Sequence, residues 1–130
     1  MTAREYAAAG RELDVPRPDC PGCRAQMIFH GSYARPLRLG EEIVRLVVRR
    51  ARCRSCRVTH ALTPDFVALQ RLDGIEAIGG AIEQMAGGVV AAAIAKATAV
   101  PYTTVRDWRR RFADRAELLT KGFLAASVAF

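Results

Sequence analysis

Four cysteines are the residues in this sequence best suited to do chemistry. They stand as two pairs, Cys20-Pro21-Gly22-Cys23 and Cys53-Arg54-Ser55-Cys56. A two-residue gap lets both thiolates of a pair turn toward one ion while backbone N–H groups face the sulfurs. The 29 residues between the pairs are enough chain for strands that bring the two turns together. Four thiolates leave no open ligand position and suit tetrahedral Zn2+. The expected site is therefore one structural ion held by Cys20, Cys23, Cys53 and Cys56, not a catalytic one. Disulfides are the competing use. A redox pair within Cys-x-x-Cys normally opens a helix, and neither pair is followed by an apolar helical pattern. Bridges across the pairs need an oxidising compartment. The N-terminal residues Met1-Thr2-Ala3-Arg4-Glu5-Tyr6 contain no apolar signal core. Four unrelated buried thiols would not produce the doubled spacing.

The second chemical group is arginine. The 130 residues carry a net charge of +7, with 18 arginines against 2 lysines. Residues 20–60 hold nine arginines against Glu41 and Glu42, residues 61–130 hold eight basic and seven acidic residues, and residues 1–19 carry −1. The charge is concentrated around the cysteines. Such a field attracts polyanions, nucleic acid being the commonest. The bland alternative is a solvated arginine-rich surface.

The elements that must position these groups follow from pattern. Residues 1–19 read as an arm with one or two helical turns, broken by Pro16 and Pro18. Residues 26–33 form a short apolar stretch with Gly31-Ser32 as a turn or bulge. A second short strand lies at 35–39, broken at Pro36, and Gly40-Glu41 is a turn. The longest strand is 43–52, with Val44, Leu46 and Val48 on one side and Arg45 and Arg49 on the other. It delivers Cys53. Strand, cysteine turn, strand, cysteine turn is the plan of a zinc ribbon, a sheet too thin to hold itself without metal. His60 is superfluous as a ligand and reads as a hydrogen-bonding residue; His30 reads as structural.

The second half is helical. Thr63-Pro64-Asp65 looks like a helix start, giving a short helix over 65–70. Asp73 with Glu76 resembles a capping box, with Asp73 as the cap of a helix that runs to about Ala86, Ile75, Ile78, Ile82 and Met85 standing at helical spacing and Gly87-Gly88 as its end. Gly79-Gly80 inside it suggests close packing or a weak point. Residues 90–112 then fit a helix-turn-helix: a helix over 90–97, a turn at Thr98-Ala99-Val100-Pro101, and a second helix over 102–112. Ala95 is the small residue at the crossing and Val100 fills the space under the turn. Val105, Trp108 and Phe112 share the packing face. Tyr102, Thr103, Arg106, Asp107 and Arg110 face outward and would reach base edges in a major groove. Ala99 stands where glycine is usual, and a left-handed backbone there costs alanine about 1 kcal/mol. An ordinary helical hairpin is the alternative.

The order Cys-Pro-x-Cys, Arg-x-Arg-Cys-x-x-Cys, Thr-His-Ala-Leu-x-Pro and Thr-Val-Arg-x-Trp-x-Arg-Arg-Phe resembles small bacterial zinc-ribbon and helix-turn-helix proteins. It is similar to the N-terminal DNA-binding region of insertion-sequence transposases. The residues that carry it are 20–23, 50–64 and 104–112. The resemblance implies an α+β fold, a small antiparallel zinc ribbon followed by an all-α helix-turn-helix bundle, and DNA binding. A transposase catalytic domain, with three carboxylates holding two metal ions, has no room in 130 residues.

The expected layout is an arm at 1–19, a zinc ribbon at 20–63 and a helical domain at 64–130. The expected function is non-enzymatic binding of double-stranded DNA, of transposase-associated or transcription-regulator type, in the cytoplasm and nucleoid-associated. Tyr102, Thr103, Arg106, Arg109 and Arg110 would meet the groove, and Arg45, Arg49, Arg50 and Arg52 the phosphates. No small-molecule substrate is expected: nothing pairs carboxylates, couples a nucleophile to a base, or cradles phosphate with glycines. No membrane is expected either, because no apolar run approaches about 20 residues. A homodimer or a transposase is a possible partner, and the apolar segment 124–130 continues a helix begun near Arg115. The other class of function is a zinc-ribbon adaptor for protein interaction.

Overall fold

The computed structural model describes residues 1–129, and the side chains of all of these except 123 and 127–129. The class is α+β. The elements in order are α1 Ala3–Ala9, a short 3-10 turn Gly10–Glu12, β1 Ile28–Leu39, β2 Glu42–Arg52, β3 Thr59–Leu62, α2 Ile75–Ala86, α3 Ala91–Thr98 and α4 Tyr102–Ala129. They divide into two compact units, Met1–Gly74 and Ile75–Phe130. Residues 64–74, read from the sequence as the start of the helical domain, thus lie with the sheet. Among the described residues no helix is long and apolar enough to cross a membrane.

The first unit is a three-stranded antiparallel sheet in the order β1-β2-β3. β1 and β2 are joined by the two-residue turn Gly40-Glu41, with Gly40 at φ 64°, the positive angle such a turn needs. The expected two strands at 26–33 and 35–39 are one strand with a bulge between Phe29 and Ser32, where Gly31 takes φ 82°. Pro36 does not break it. β1 is an edge strand, and the Pro36 nitrogen shares the outer edge with the Arg38 N–H, which bonds Leu72 O at 2.8 Å outside the sheet.

β2 buries opposite faces at its two ends. Leu46 and Val48 pack with Tyr6, Leu37 and Val67 in one cluster. Ala51 and Cys53, of the other parity, pack with Cys20 and Met27 in a second. Residues 1–19 are more than an arm. Thr2 and Glu5 form a capping box for α1, and Tyr6 is buried in the first cluster, edge-on to Phe66 at 5.7 Å. Its hydroxyl donates to Val47 O at 3.2 Å.

The helix expected over 65–70 does not form. Arg35 Nη2 donates to the carbonyls of Ala68 and Arg71, the latter at 2.8 Å, and Val67 bridges Gly74. The segment is held to the β1 edge through these contacts and closes local turns, Val67 N–H to Pro64 O and Arg71 N–H to Ala68 O. Asp73, expected as a helix cap, bridges Arg38 instead and is buried, 2 % exposed, with Oδ1 3.5 Å from Arg38 Nη1. Burial pushes its carboxyl above the usual range, and the Arg38 charge partly offsets this.

The second unit is a helical core. Ala81 of α2, Ala91 and Ile94 of α3, Val100, and Val105 and Trp108 of α4 are buried together, with Ile78, Met85 and Ala95 against them. α2 ends at Gly87-Gly88, where Gly88 takes φ 97° and its N–H bonds Met85 O. The close packing expected at Gly79-Gly80 is absent, because a Cβ on either would meet no atom within 4 Å. α3 ends at Ala99, in the left-handed conformation at φ 57°, ψ 22°. α4 is one helix of 28 residues, where two were expected. Phe112, expected on the packing face, is 44 % exposed, because the core ends at Trp108.

Candidate functional site

The two cysteine turns are built alike. In each, the first cysteine is buried and the second exposed. The first cysteine's N–H bonds a carbonyl five residues on: Cys20 N to Ala25 O at 2.8 Å and Cys53 N to Val58 O at 2.9 Å. The residue after each pair, Arg24 or Arg57, has a positive φ of 66° or 60°. The chain then closes into a strand pairing one step outside, Asp19 with Gln26 and Arg52 with Thr59. A left-handed residue is what turns the chain back after a cysteine knuckle, and it costs arginine about 1 kcal/mol relative to glycine. The repeated Cys-x-x-Cys-Arg is the sequence signal for this pair of bends, which the spacing argument did not use.

The geometry brings all four predicted ligands together. The sulfurs of Cys20, Cys23, Cys53 and Cys56 lie within 4.8 Å of one another, with Cys23 Sγ 3.5 Å from Cys53 Sγ. A tetrahedral ion with metal–sulfur bonds of about 2.3 Å has sulfur–sulfur edges of about 3.8 Å, so the quartet can hold one ion. Gly22 lies over the cluster, and a Cβ there would touch Cys20 Sγ at 3.8 Å and Cys56 Sγ at 4.0 Å. The Cys56 N–H donates to Cys53 Sγ at 3.3 Å and lowers the Cys53 thiol to about 7. Hydrogen bonding with Cys23, then burial, raises the Cys56 thiol to about 12. Without an ion, four thiols this close cannot all ionise, because the charges repel. A divalent cation removes that conflict, as expected of a metal cluster. His60 lies in β3 opposite Ala51, and His30 is exposed at the β1 bulge.

The basic residues separate by what already occupies them. Arg45 and Arg50 are exposed on β2, and Arg52 is half-buried. Arg49 is held within the fold: its Nη2 donates to Arg11 O at 2.8 Å and Leu13 O at 2.7 Å, and its guanidinium lies 5.0 Å from the Phe29 ring centre. It ties the N-terminal segment to the sheet. Nothing in the period-two pattern separates it from Arg45; only the partner does.

In α4 the outward residues are Tyr102, Thr103, Arg106, Arg109 and Arg110, all exposed, with Asp107 half-buried. Arg106 lies over the Tyr102 ring at 5.8 Å. Asp107 accepts from Arg110 at 2.6 Å and from Arg111 Nε at 2.8 Å. Thr103, Arg106, Asp107 and Arg110 line a shallow cleft of about 350 Å3. Directly beneath, Val105 and Trp108 anchor the helix in the core.

A protein-family profile described as a domain of unknown function, DUF6431, matches residues 20–108. The chain belongs to this family. The DUF6431 span opens on Cys20, takes in both cysteine pairs, and closes on Trp108, the last residue of α4 in the helical core. It leaves out α1 and the outer part of α4. No curated protein and no solved structure matches the chain.

Proposed function

We propose that the chain is a non-enzymatic DNA-binding protein stabilised by one zinc ion, of transposase-associated or transcription-regulator type. In this reading the first unit is a zinc ribbon, and α3, the turn at Ala99 and the start of α4 are a helix-turn-helix. The observation that carries it is the division of α4. Val105 and Trp108 are buried, whereas Tyr102, Thr103, Arg106 and Arg110 form one exposed polar and basic face. A recognition helix needs this arrangement: a rigid seat on one side, and arginines able to reach guanine edges on the other. The left-handed Ala99 turn and the small Ala95 at the crossing support it. Zinc is the ion of choice because four thiolates in tetrahedral disposition are its common structural set. Arg45 and Arg50 are the sheet arginines left open for phosphate.

The test is retardation of a random duplex pool by zinc-loaded protein at low salt, followed by selection of bound sequences. Arg106→Ala is expected to relax sequence preference and cost about 1–3 kcal/mol on the preferred site. Arg45→Ala is expected to weaken all sequences alike and lower the salt slope by about one. Absence of retardation at low salt sinks the reading. The second reading, an adaptor docking on proteins, is favoured by exposed Ile43 and Val58 in the first unit. Retention of a protein partner by a variant that has lost DNA binding would favour it.

A further inference from the structure

The start of α4 carries one acidic residue within its basic face. Residues 102–112 hold Arg106, Arg109, Arg110 and Arg111 against Asp107. The Asp107 side chain is 27 % exposed and lines the shallow cleft with Thr103, Arg106 and Arg110. Its two oxygens hold two different arginines. Oδ1 accepts from Arg110 Nη2 at 2.6 Å, and Oδ2 accepts from Arg111 Nε at 2.8 Å. These partners stand three and four residues on, the spacing at which a carboxylate and a cation meet on a helix surface. Arg106 is placed differently, with its guanidinium over the Tyr102 ring at 5.8 Å. The face thus presents its arginines in two states: one set on an aromatic ring, two held on a carboxylate. For a surface that meets a polyanion, this carboxylate works against affinity. It repels phosphate and occupies two cations that could neutralise it.

We propose that Asp107 sets the sequence discrimination of this face, by withholding Arg110 and Arg111 from phosphates so that base contacts decide binding. The proposal rests on the DNA-binding reading above and assigns Asp107 a part in it. Discrimination is a difference of affinities, and it is gained by penalising the wrong partner as well as by favouring the right one. Binding to arbitrary duplex draws almost wholly on phosphate contacts. Each such contact by Arg110 or Arg111 takes the arginine off Asp107 and leaves a bare carboxylate facing the backbone. At a preferred site the base contacts of Thr103 and Arg106 are gained as well, and a carboxylate can itself accept from the amino group of cytosine. The penalty therefore falls harder on the wrong sequence than on the right one.

Retardation of a selected site and of a scrambled duplex by the full zinc-loaded chain, over a salt series, decides it. Asp107→Asn keeps the shape and removes the charge. It is expected to bind the scrambled duplex at least about five-fold more tightly, with a salt slope steeper by about one for each arginine released. The ratio of selected to scrambled affinity is expected to fall at least about five-fold. Asp107→Glu, which keeps the charge, is expected to give a ratio nearer the wild type than Asp107→Asn does. Glu117→Gln makes the same change in net charge outside the cleft, where Glu117 pairs with Lys121 at 2.8 Å, and is expected to leave the ratio as it was. Circular dichroism and Trp108 fluorescence should be unchanged in all three, since these side chains lie outside the helical core. A wild type that retards duplex while Asp107→Asn alters neither ratio nor slope overturns the proposal and leaves the DNA-binding reading standing. A wild type that binds both duplexes alike overturns it too. So does an equal effect of Glu117→Gln, because net charge would then suffice. A wild type that retards no duplex at low salt removes the DNA-binding reading and the proposal together.

Discussion

The two units solve the problem of a small core in opposite ways. Met1–Gly74 spreads its apolar residues over two clusters on opposite faces of one sheet, and neither is large. It is held by non-local ties: the cysteine quartet, Arg49 on the carbonyls of Arg11 and Leu13, and Arg35 on those of Ala68 and Arg71. Ile75–Phe130 has one cluster of aliphatic residues around a single tryptophan, and its helices satisfy their backbone groups locally. A three-stranded sheet leaves two faces to cover, and here each has only a small cluster, so the unit depends on cross-links. A helix needs only a face to bury, and α4 finds one at Val105 and Trp108.

The sharpest break in this comparison is metal removal. Chelation, or Cys53→Ser, is expected to unfold the first unit with the loss of on the order of 10 kcal/mol of metal-coupled folding energy. The helical signal and the fluorescence of Trp108, the lone tryptophan, should persist. Simultaneous loss of both would show that the units fold as one.

The reverse experiment is Trp108→Ala. It removes the largest side chain in the helical core and is expected to cost the second unit about 3–5 kcal/mol, without changing metal content. Thermal unfolding followed by circular dichroism, with cobalt absorption reporting the quartet, separates the two effects.

Next in size is the buried pair of Arg38 and Asp73. Arg38→Ala leaves a buried carboxylate alone and is expected to cost about 3 kcal/mol at neutral pH. The Asp73 carboxyl is raised above its ordinary value in the fold. Its contribution is therefore fully present below that ordinary value and is lost as pH rises through the raised one. The penalty of Arg38→Ala should accordingly shrink as pH falls toward 4 and the carboxyl takes up its proton. A penalty that stays constant would mean Arg38 acts through packing alone.

The smallest expected effects lie in helix chemistry. Ala99→Gly relieves a left-handed alanine, and Gly80→Ala adds a methyl in open space within α2. Each should stabilise the second unit by about 0.5–1 kcal/mol and leave the first unit unchanged.

Much of the fold was legible where the signal is local. The cysteine spacing named the quartet, the β-branched run marked β2, and helical periodicity with a double glycine bounded α2. Ala99 announced its own strained backbone. The misreadings share another cause. Pro36 reads as a break unless β1 is known to be an edge. Asp73 reads as a cap unless Arg38 is known to lie beside it. Where a helix was expected over 65–70, Arg35 holds the chain at the carbonyls of Ala68 and Arg71, and Phe112 fell outside the core because the core stops one turn earlier.

The candidate site divides the same way. The sequence by itself determined which four atoms can hold an ion and which helix face is polar, because ligand type, spacing and period are properties of neighbouring residues. Tertiary structure decided which arginines remain open. Arg45 and Arg49 are equivalent in the strand pattern, yet one is exposed and the other is bound to two carbonyls from the N-terminal segment. A long cation takes whichever acceptors the fold brings within reach, and those acceptors lie more than thirty residues away in the chain.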